Sequence, residues 1–131
     1  MKYLLDTNIC IYIINERPKK VLDQFKRFDL SDLGVSSVTV AELAYGVSKS
    51  ASARNRSALQ AFLLPLDIAF FDTSAAMAYG DLRASLERKG QPIGPLDLQI
   101  AAHALSLNAV LVTNNVREFR KVTRLTVENW A

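Results

Sequence analysis

The feature that most constrains the fold of this chain is an alternation of short apolar runs with longer amphipathic segments. Tyr3, Leu4 and Leu5 form one apolar run near the start, and residues 109–112 form another that is apolar throughout. Short, continuously apolar runs are typical of strands buried on both faces of a parallel sheet. Strands that alternate with helices predict such a sheet between two helical layers.

The spacing of apolar residues and breakers predicts the individual elements. Strands are predicted at residues 3–5, 34–38, 66–71 and 109–112, with an edge strand at 125–127. Helices are predicted at residues 8–15, 19–28, 39–50, 54–64, 73–89, 95–107 and 115–120. The expected class is therefore α/β, with three layers and a central parallel sheet of four to five strands.

Length and composition limit the organisation of the chain to one domain over residues 1–131. Half of the residues are hydrophobic, enough for a core without disulfides, and the single cysteine, Cys10, excludes a zinc site built from cysteine pairs. No signal peptide and no apolar run of membrane-spanning length is present, so we expect a cytoplasmic protein. The net charge of +3 is compatible with a polyanionic partner.

Polar residues stand where functional sites form in parallel sheets, beyond the carboxyl ends of the strands. Asp6 directly follows the first strand, and Thr113, Asn114 and Asn115 follow the fourth. Two more acids, Glu42 and Asp97, are predicted in the first turns of the helices that begin at Thr39 and Pro95. Three carboxylates gathered at one edge would repel one another unless a divalent cation neutralised them. Mg²⁺ and Mn²⁺ prefer such oxygen ligands.

Helix capping explains each of these residues when it is taken alone. The pattern Thr39-x-x-Glu42 matches a capping box, and Asp97 fits the preference for acids near helix N-termini. Asp6 or Asn8 would suit an N-cap. Capping does not exclude a role as metal ligand, so both interpretations remain open from spacing alone.

Other site types are not supported by the sequence. Neither GxGxxG nor GxxxxGK[ST] occurs, which disfavours a dinucleotide or P-loop site. The sole histidine, His103, is six positions after Asp97 on a predicted helix, so the two should not face one another, and a packed His103 is favoured over a catalytic one. A phosphatase that uses an aspartate after the first strand needs the pattern Asp-x-Asp-x-Thr or Val. This chain has Asn8 at the second acid and Cys10 at the last position, so the pattern fails.

Basic residues form two small groups near the predicted acidic edge. These are Arg117, Arg120, Lys121 and Arg124 after the fourth strand, and Arg88 with Lys89 before the segment that leads to Asp97. Both groups could bind RNA phosphates. Basic side chains on a helix face exposed to solvent would explain them equally well.

Four segments, in order along the chain, resemble the VapC toxins, the PIN-domain ribonucleases of type II toxin–antitoxin systems. They are residues 4–8 (LLDTN), 37–43 (SVTVAEL) with Gly46, 94–102 (GPLDLQIAA) with Ala104, and 111–115 (LVTNN) with Glu118 and Phe119. LLDTN alone would be a weak signal, but four segments in register over essentially the whole chain are specific.

The resemblance implies a five-stranded parallel sheet between helices and a magnesium-dependent endoribonuclease. Asp6 and Asp97 would bind Mg²⁺, or Mn²⁺ in its place, and Glu42 would complete the acidic site. Thr113 would steady the site by hydrogen bonding, with Thr7 and Asn8 beside it. The implied substrate is structured RNA such as transfer RNA. The implied partners are a VapB-type antitoxin, which blocks the groove with its C-terminal segment, and a second copy of the chain packed through the apolar helices near residues 9–14 and 51–64.

One position departs from the family pattern. Many PIN domains carry an aspartate where this chain has Asn115, and Glu118 is the candidate to supply the missing acid. The departure leaves open how many metal ions bind and what Asn115 does. It also allows an alternative, a non-catalytic relative that only binds RNA or antitoxin, although the three core acids favour the enzyme.

Overall fold

The computed structural model describes residues 1–131 and contains five strands, seven α-helices and one 3₁₀ turn. The strands are β1 (Tyr3–Leu5), β2 (Leu33–Ser36), β3 (Asp67–Ala69), β4 (Val110–Val112) and β5 (Val127–Glu128). The helices are α1 (Thr7–Asn15), α2 (Lys19–Lys26), α3 (Ser37–Ser50), α4 (Ala53–Leu63), α5 (Thr73–Arg88), α6 (Pro95–Leu107) and α7 (Val116–Phe119), and the 3₁₀ turn spans Leu30–Asp32.

All five strands are parallel, in the order β3-β2-β1-β4-β5. The first strand therefore lies in the middle, with β2 on one side and β4 on the other. This order places residues that are far apart in the sequence at one edge: Asp6 follows β1, Ser37 follows β2 and Thr113 follows β4. The predicted α/β class and the parallel sheet are confirmed, with the sheet at five strands.

The two faces of the sheet bury two separate cores, which confirms the three-layer arrangement. Leu4 and Leu111 belong to a core shared with α5, α6 and α7. Their neighbours Leu5 and Val112 belong to a second core shared with α1, α3 and α4. Successive residues of a strand point to opposite faces, so a continuously apolar strand supplies both cores at once. Cys10 lies fully buried in the second core, where it packs as a small apolar side chain.

The boundary between β2 and α3 differs from the prediction, which extended the strand to Val38. The strand ends at Ser36, and the helix begins at Ser37 rather than Thr39. The Ser36 hydroxyl accepts a hydrogen bond from the Val38 amide at 3.0 Å and so caps the helix. The prediction kept Ser37 and Val38 in the strand, but this N-cap outweighs the weak local preference of a β-branched residue such as Val38.

The remaining differences are small. The strand β3 is shorter than predicted, β5 lies one to two residues later, and most helix ends shift by one or two residues. None of the helices combines the length and apolar character needed to cross a membrane.

Gly34 provides a test of how closely the strands β2 and β3 approach one another. A Cβ atom at this position would lie 2.8 Å from the Asp67 carbonyl oxygen of β3 and would also meet the Met1 side chain. Because the carbonyl belongs to the backbone of a paired strand, Gly34→Ala should lower the free energy of unfolding by about 1–3 kcal/mol in urea denaturation.

Gly80→Ala is the matched control, since a Cβ there meets nothing within 4 Å in the middle of α5. This control should raise the free energy of unfolding by about 0.5–1 kcal/mol. Equal stability changes for the two variants would contradict the close approach of β2 and β3 at Gly34.

Candidate active site

Asp6 lies at the centre of the polar edge, buried at the end of β1 with 4% of its surface exposed. Its Oδ1 accepts a hydrogen bond from the Thr7 amide at 2.8 Å, so Asp6 is the N-cap of α1. Its Oδ2 accepts from the Thr113 hydroxyl at 2.7 Å and from the Asn8 amide group at 3.2 Å. The predicted capping role of Asp6 and the hydrogen bond from Thr113 are therefore both present.

The groups around Asp6 shift the pKa of its carboxyl in opposite directions. Burial raises the pKa of the Asp6 carboxyl above its usual value, and the nearby charge of Glu42 raises it further. The hydrogen bonds from Thr113, Thr7 and Asn8 favour the carboxylate and lower the pKa in part. The net result is a raised pKa, so the site disfavours the bare carboxylate.

Glu42 lies in the second turn of α3 and does not cap that helix, so the capping-box interpretation of Thr39 and Glu42 was wrong. The helix starts two residues earlier than predicted, and Ser36 provides its cap. Glu42 Oε1 instead accepts a hydrogen bond from the Thr7 hydroxyl at 2.8 Å. Thr39 Oγ1 lies 3.2 Å from the same hydroxyl. The spacing of Thr39 and Glu42 thus puts both on the helix face that meets the start of α1.

Asp97 lies in the first turn of α6 and faces the other acids. Its Oδ2 accepts a hydrogen bond from the Asn115 side-chain amide at 3.2 Å. The pKa of Asp97 is raised to about 6, most by burial and then by the charges of Asp6, Glu118 and Glu42, while the hydrogen bond from Asn115 lowers it in part. The charges of the other three acids therefore act on Asp97 at one common site.

These acids lack basic partners. Only two ion pairs lie within 4.0 Å, Arg83 with Glu87 and Lys121 with Glu118, so Asp6, Glu42 and Asp97 have no lysine or arginine beside them. Their hydrogen bonds come from neutral groups of threonine and asparagine. The cluster therefore carries an uncompensated negative charge, which a bound cation would relieve.

Comparison with known proteins identifies the family. The PIN-domain family model matches residues 3–125. Ribonuclease VapC2 of Rickettsia felis is 46% identical, with 99% of this chain and 98% of that protein covered. The tRNA(fMet)-specific endonuclease VapC of Salmonella typhimurium is 42% identical, with 99% and 98% covered. This chain belongs to the VapC family of PIN-domain proteins. A solved structure of DNA-bound VapBC from Salmonella typhimurium agrees, with a TM-score of 0.91, 40% identity and coverage of 100% of this chain and 99% of that one.

The position at which this VapC-family chain departs from the usual pattern, Asn115, has a defined set of contacts. Its backbone amide donates to the Thr113 hydroxyl at 3.0 Å, and its side chain donates to Asp97. An aspartate could not donate this bond and would add another charge beside Asp97. Glu118, one turn later, adds its charge to the site and pairs with Lys121 at 3.3 Å.

A strip of polar contacts beside the site was not found by sequence reasoning. The Asn114 amide donates to Asn8 Oδ1 at 3.1 Å, and the Asn114 side chain donates to the Tyr12 hydroxyl at 3.0 Å. Asn114 in turn accepts from Asn129 at 3.4 Å. The repeated asparagines of residues 114 and 115 were visible in the sequence, but Tyr12 gave no signal because it stands in an Ile-rich helix.

Only part of the two basic groups lies near the segment that precedes Asp97, since Arg124 lines a cleft with Leu105 and Ser106 at the far end of α6. Arg88 ends α5 and Lys89 is its C-cap, and both are exposed. Lys121 donates to the Pro92 carbonyl at 3.4 Å, which brings the end of α7 against this segment. Arg117 and Arg120 are exposed and have no acidic partner, whereas Lys121 is engaged with Glu118.

The chemistry of the donors fits a hard divalent cation. All four acids offer oxygen ligands, and no sulfur or imidazole donor lies among them. As placed, no three acidic side chains form a closed group around one ion. Mg²⁺ is commonly held by one or two carboxylates with water completing its shell, so an open arrangement of this kind suits it.

The raised pKa of Asp97 predicts how acidity affects the metal-free protein. Between its ordinary value of 3.8 and about 6, the native state holds a proton that the unfolded chain releases. The contribution of Asp97 to the free energy of unfolding should therefore fall as the pH rises through this window and stay lower above it. Asp97→Asn should remove this contribution and stabilise the metal-free protein at pH 7 by roughly 1 kcal/mol, allowing for partial exposure of the carboxyl.

Denaturation in urea with EDTA at several pH values between 4 and 8 measures this effect. Asp81→Asn on the exposed surface of α5 is the control and should follow the native pH profile. An Asp97→Asn variant whose pH profile runs parallel to the native one, or that is less stable at pH 7, would contradict the repulsive cluster.

Proposed function

We propose that this chain is the toxin of a type II toxin–antitoxin system, a magnesium-dependent endoribonuclease that acts in the cytoplasm on structured RNA such as transfer RNA. The observation that carries the proposal is a cluster of three acids without basic partners at the carboxyl edge of the sheet, Asp6, Glu42 and Asp97, with Glu118, paired to Lys121, beside them. The names of the VapC2 ribonuclease and the tRNA(fMet)-specific endonuclease, full-length relatives above 40% identity, support the activity.

The residues have distinct roles in this proposal. Asp6 and Asp97 would hold the metal ion, Mg²⁺ or Mn²⁺ in its place. Such an ion would supply polarisation of the scissile phosphate and a lowered pKa for water at the site. Glu42, held by Thr7, orients the attacking water, and Thr113 fixes the Asp6 carboxylate. Asn8 supports Asp6 from the side. Glu118 is the fourth acid, and Asn115 positions Asp97.

Two further surfaces fit the partners of a toxin. A groove of about 280 Å³ between α1, α3 and α4 is lined by Ile11, Ile14, Leu43 and Val47, with Glu42 at its border. We infer that a VapB-type antitoxin lays an apolar segment here and so covers the site. The solved VapBC complexes of Rickettsia felis and Salmonella typhimurium support such a partner.

A homodimer is also part of the proposal, packed through the apolar helices predicted for it. Within α1, Ile9 and Ile13 are buried in the core and Ile11 is exposed, whereas Leu64, the C-cap of α4, is 87% exposed. Tyr45 of α3 and Leu96 of α6 are also exposed and line one cleft. This cleft between α3 and α6 is a second candidate for contact with another copy.

Asp6→Asn provides the direct test of the nuclease. Asparagine retains an N-cap for α1, so the fold should persist, but the charge that binds the cation is lost. We expect RNA cleavage in Mg²⁺ to fall by about 100-fold or more. The rate is followed on a transfer RNA transcript by gel electrophoresis, with circular dichroism to verify folding.

Asp81→Asn makes the same chemical change on the exposed face of α5 and should cleave at the native rate. Cleavage by Asp6→Asn equal to that of the native protein would refute the assigned role. An absence of metal-dependent cleavage by the native chain on any structured RNA would favour the non-catalytic alternative instead.

The exposed arginines of the α7 region should contribute to RNA binding rather than to chemistry. Replacing Arg117 and Arg120 together by glutamine removes two phosphate contacts, which should lower the slope of log affinity against log salt by about 1.4–1.8. Binding is measured by fluorescence anisotropy on RNA with Ca²⁺ in place of Mg²⁺.

The matched control replaces Lys2 and Lys49 by glutamine. It removes the same charge from exposed positions, one of them at the opposite edge of the sheet. An unchanged salt slope for the arginine variant, or an equal decrease in the control, would contradict a specific contact. Arg88 and Lys89 can be tested in the same way.

A further inference from the structure

His103 forms a buried hydrogen bond that the proposed chemistry does not use. Its Nδ1 lies 2.8 Å from the Ser36 hydroxyl oxygen, and both side chains are at most 1% exposed. The prediction of a packed histidine is confirmed. His103 also forms a buried hydrogen bond, so it does more than fill space in the core. Burial lowers the pKa of His103, against the charge of Asp72 and the Phe70 carbonyl that raise it, so the ring is neutral at pH 7.

This hydrogen bond joins the two helices that carry two of the site acids. Ser36 ends β2 and caps α3, which carries Glu42. His103 lies in α6, six residues after Asp97. No other side-chain hydrogen bond connects these two helices. Glu42 accepts its hydrogen bond from Thr7 of α1, and Asp97 accepts its own from Asn115 after β4.

The remaining contacts of His103 argue against a simple filling role. Its Nε2 is buried and makes no hydrogen bond of good geometry, and the Phe70 carbonyl is the backbone acceptor that acts on the ring. An apolar side chain of similar size would bury no such polar atom. The ring meets the edge of Phe71 at a centroid distance of 5.4 Å, and the Phe71 amide donates to the Ser37 hydroxyl at 3.0 Å. The start of α3 is thus fixed both by α6 and by the segment after β3.

We propose that His103 is a positioning residue, whose hydrogen bond to Ser36 sets the spacing of α3 and α6 and thereby the separation of Glu42 and Asp97. This inference rests on the proposed function, because that separation matters only if the acids share a cation. Small displacements of groups that orient metal ligands typically lower metal affinity or activity by about 10–100-fold.

His103→Phe tests the proposal, since it keeps a ring of similar size and removes the hydrogen bond. We expect Mn²⁺ affinity, measured by isothermal titration calorimetry, to fall about 10-fold. We also expect kcat for RNA cleavage to fall by a similar factor with KM nearly unchanged. His103→Asn places an amide near the position of Nδ1 and should recover much of the Mn²⁺ affinity, although it leaves more empty space in the core.

Val21→Ala is the control for a general loss of stability, because Val21 is fully buried on α2, away from both helices. All measurements are made at a temperature at which circular dichroism shows every variant folded. Native Mn²⁺ affinity in His103→Phe, or losses that match those of Val21→Ala, would overturn the positioning role.

The two proposals fail in different ways. If the native chain binds Mn²⁺ but cleaves no RNA, the nuclease assignment is wrong, and the affinity difference between His103→Phe and His103→Asn still tests positioning. If the native chain cleaves RNA and Asp6→Asn does not, but His103→Phe behaves as native, only the role of His103 is refuted.

Discussion

The repulsion among carboxylates at the edge of the sheet is the constraint on which the rest of the site depends. Burial is the largest effect that opposes ionisation of Asp97, and the charges of Asp6, Glu118 and Glu42 all add to it. The hydrogen-bond donors around these carboxylates are neutral: Thr113 donates to Asp6, and Asn115 donates to Asp97. Such hydrogen bonds hold the carboxylates in place without cancelling their charge, so the site keeps its attraction for a cation.

The order of the strands explains how acids that are distant in sequence share one edge. Because β1 lies between β2 and β4, its final residue is followed by Asp6 in the middle of the sheet. The helix after β2 brings Glu42 from one side, and α6, packed beneath β4, brings Asp97 from the other. A two-sided apolar strand such as β1 is fixed by both cores, so the position of Asp6 is determined by packing rather than by the site itself.

The apolar runs and breakers were sufficient to predict the layers, the parallel sheet and the residues at its edge. They could not settle where α3 begins, since β-branched residues 38–40 suit a strand locally and only the Ser36 cap and the surrounding core decide for the helix. That two-residue error changed the apparent role of Glu42 from a cap to an acceptor of the Thr7 hydroxyl. Contacts such as those of Tyr12 and His103 depend on the relative placement of helices, which periodicity does not encode.

Asn115 shows how one uncharged position alters the balance of the site. An aspartate there would put another negative charge beside a carboxyl whose pKa is already raised to about 6. The amide instead donates to Asp97 and favours its ionised form, which is the form a cation needs. Glu118, the remaining acid, is already balanced by Lys121 at 3.3 Å. Asn115 and Lys121 therefore leave the cluster with fewer uncompensated negative charges than an aspartate at position 115 would give.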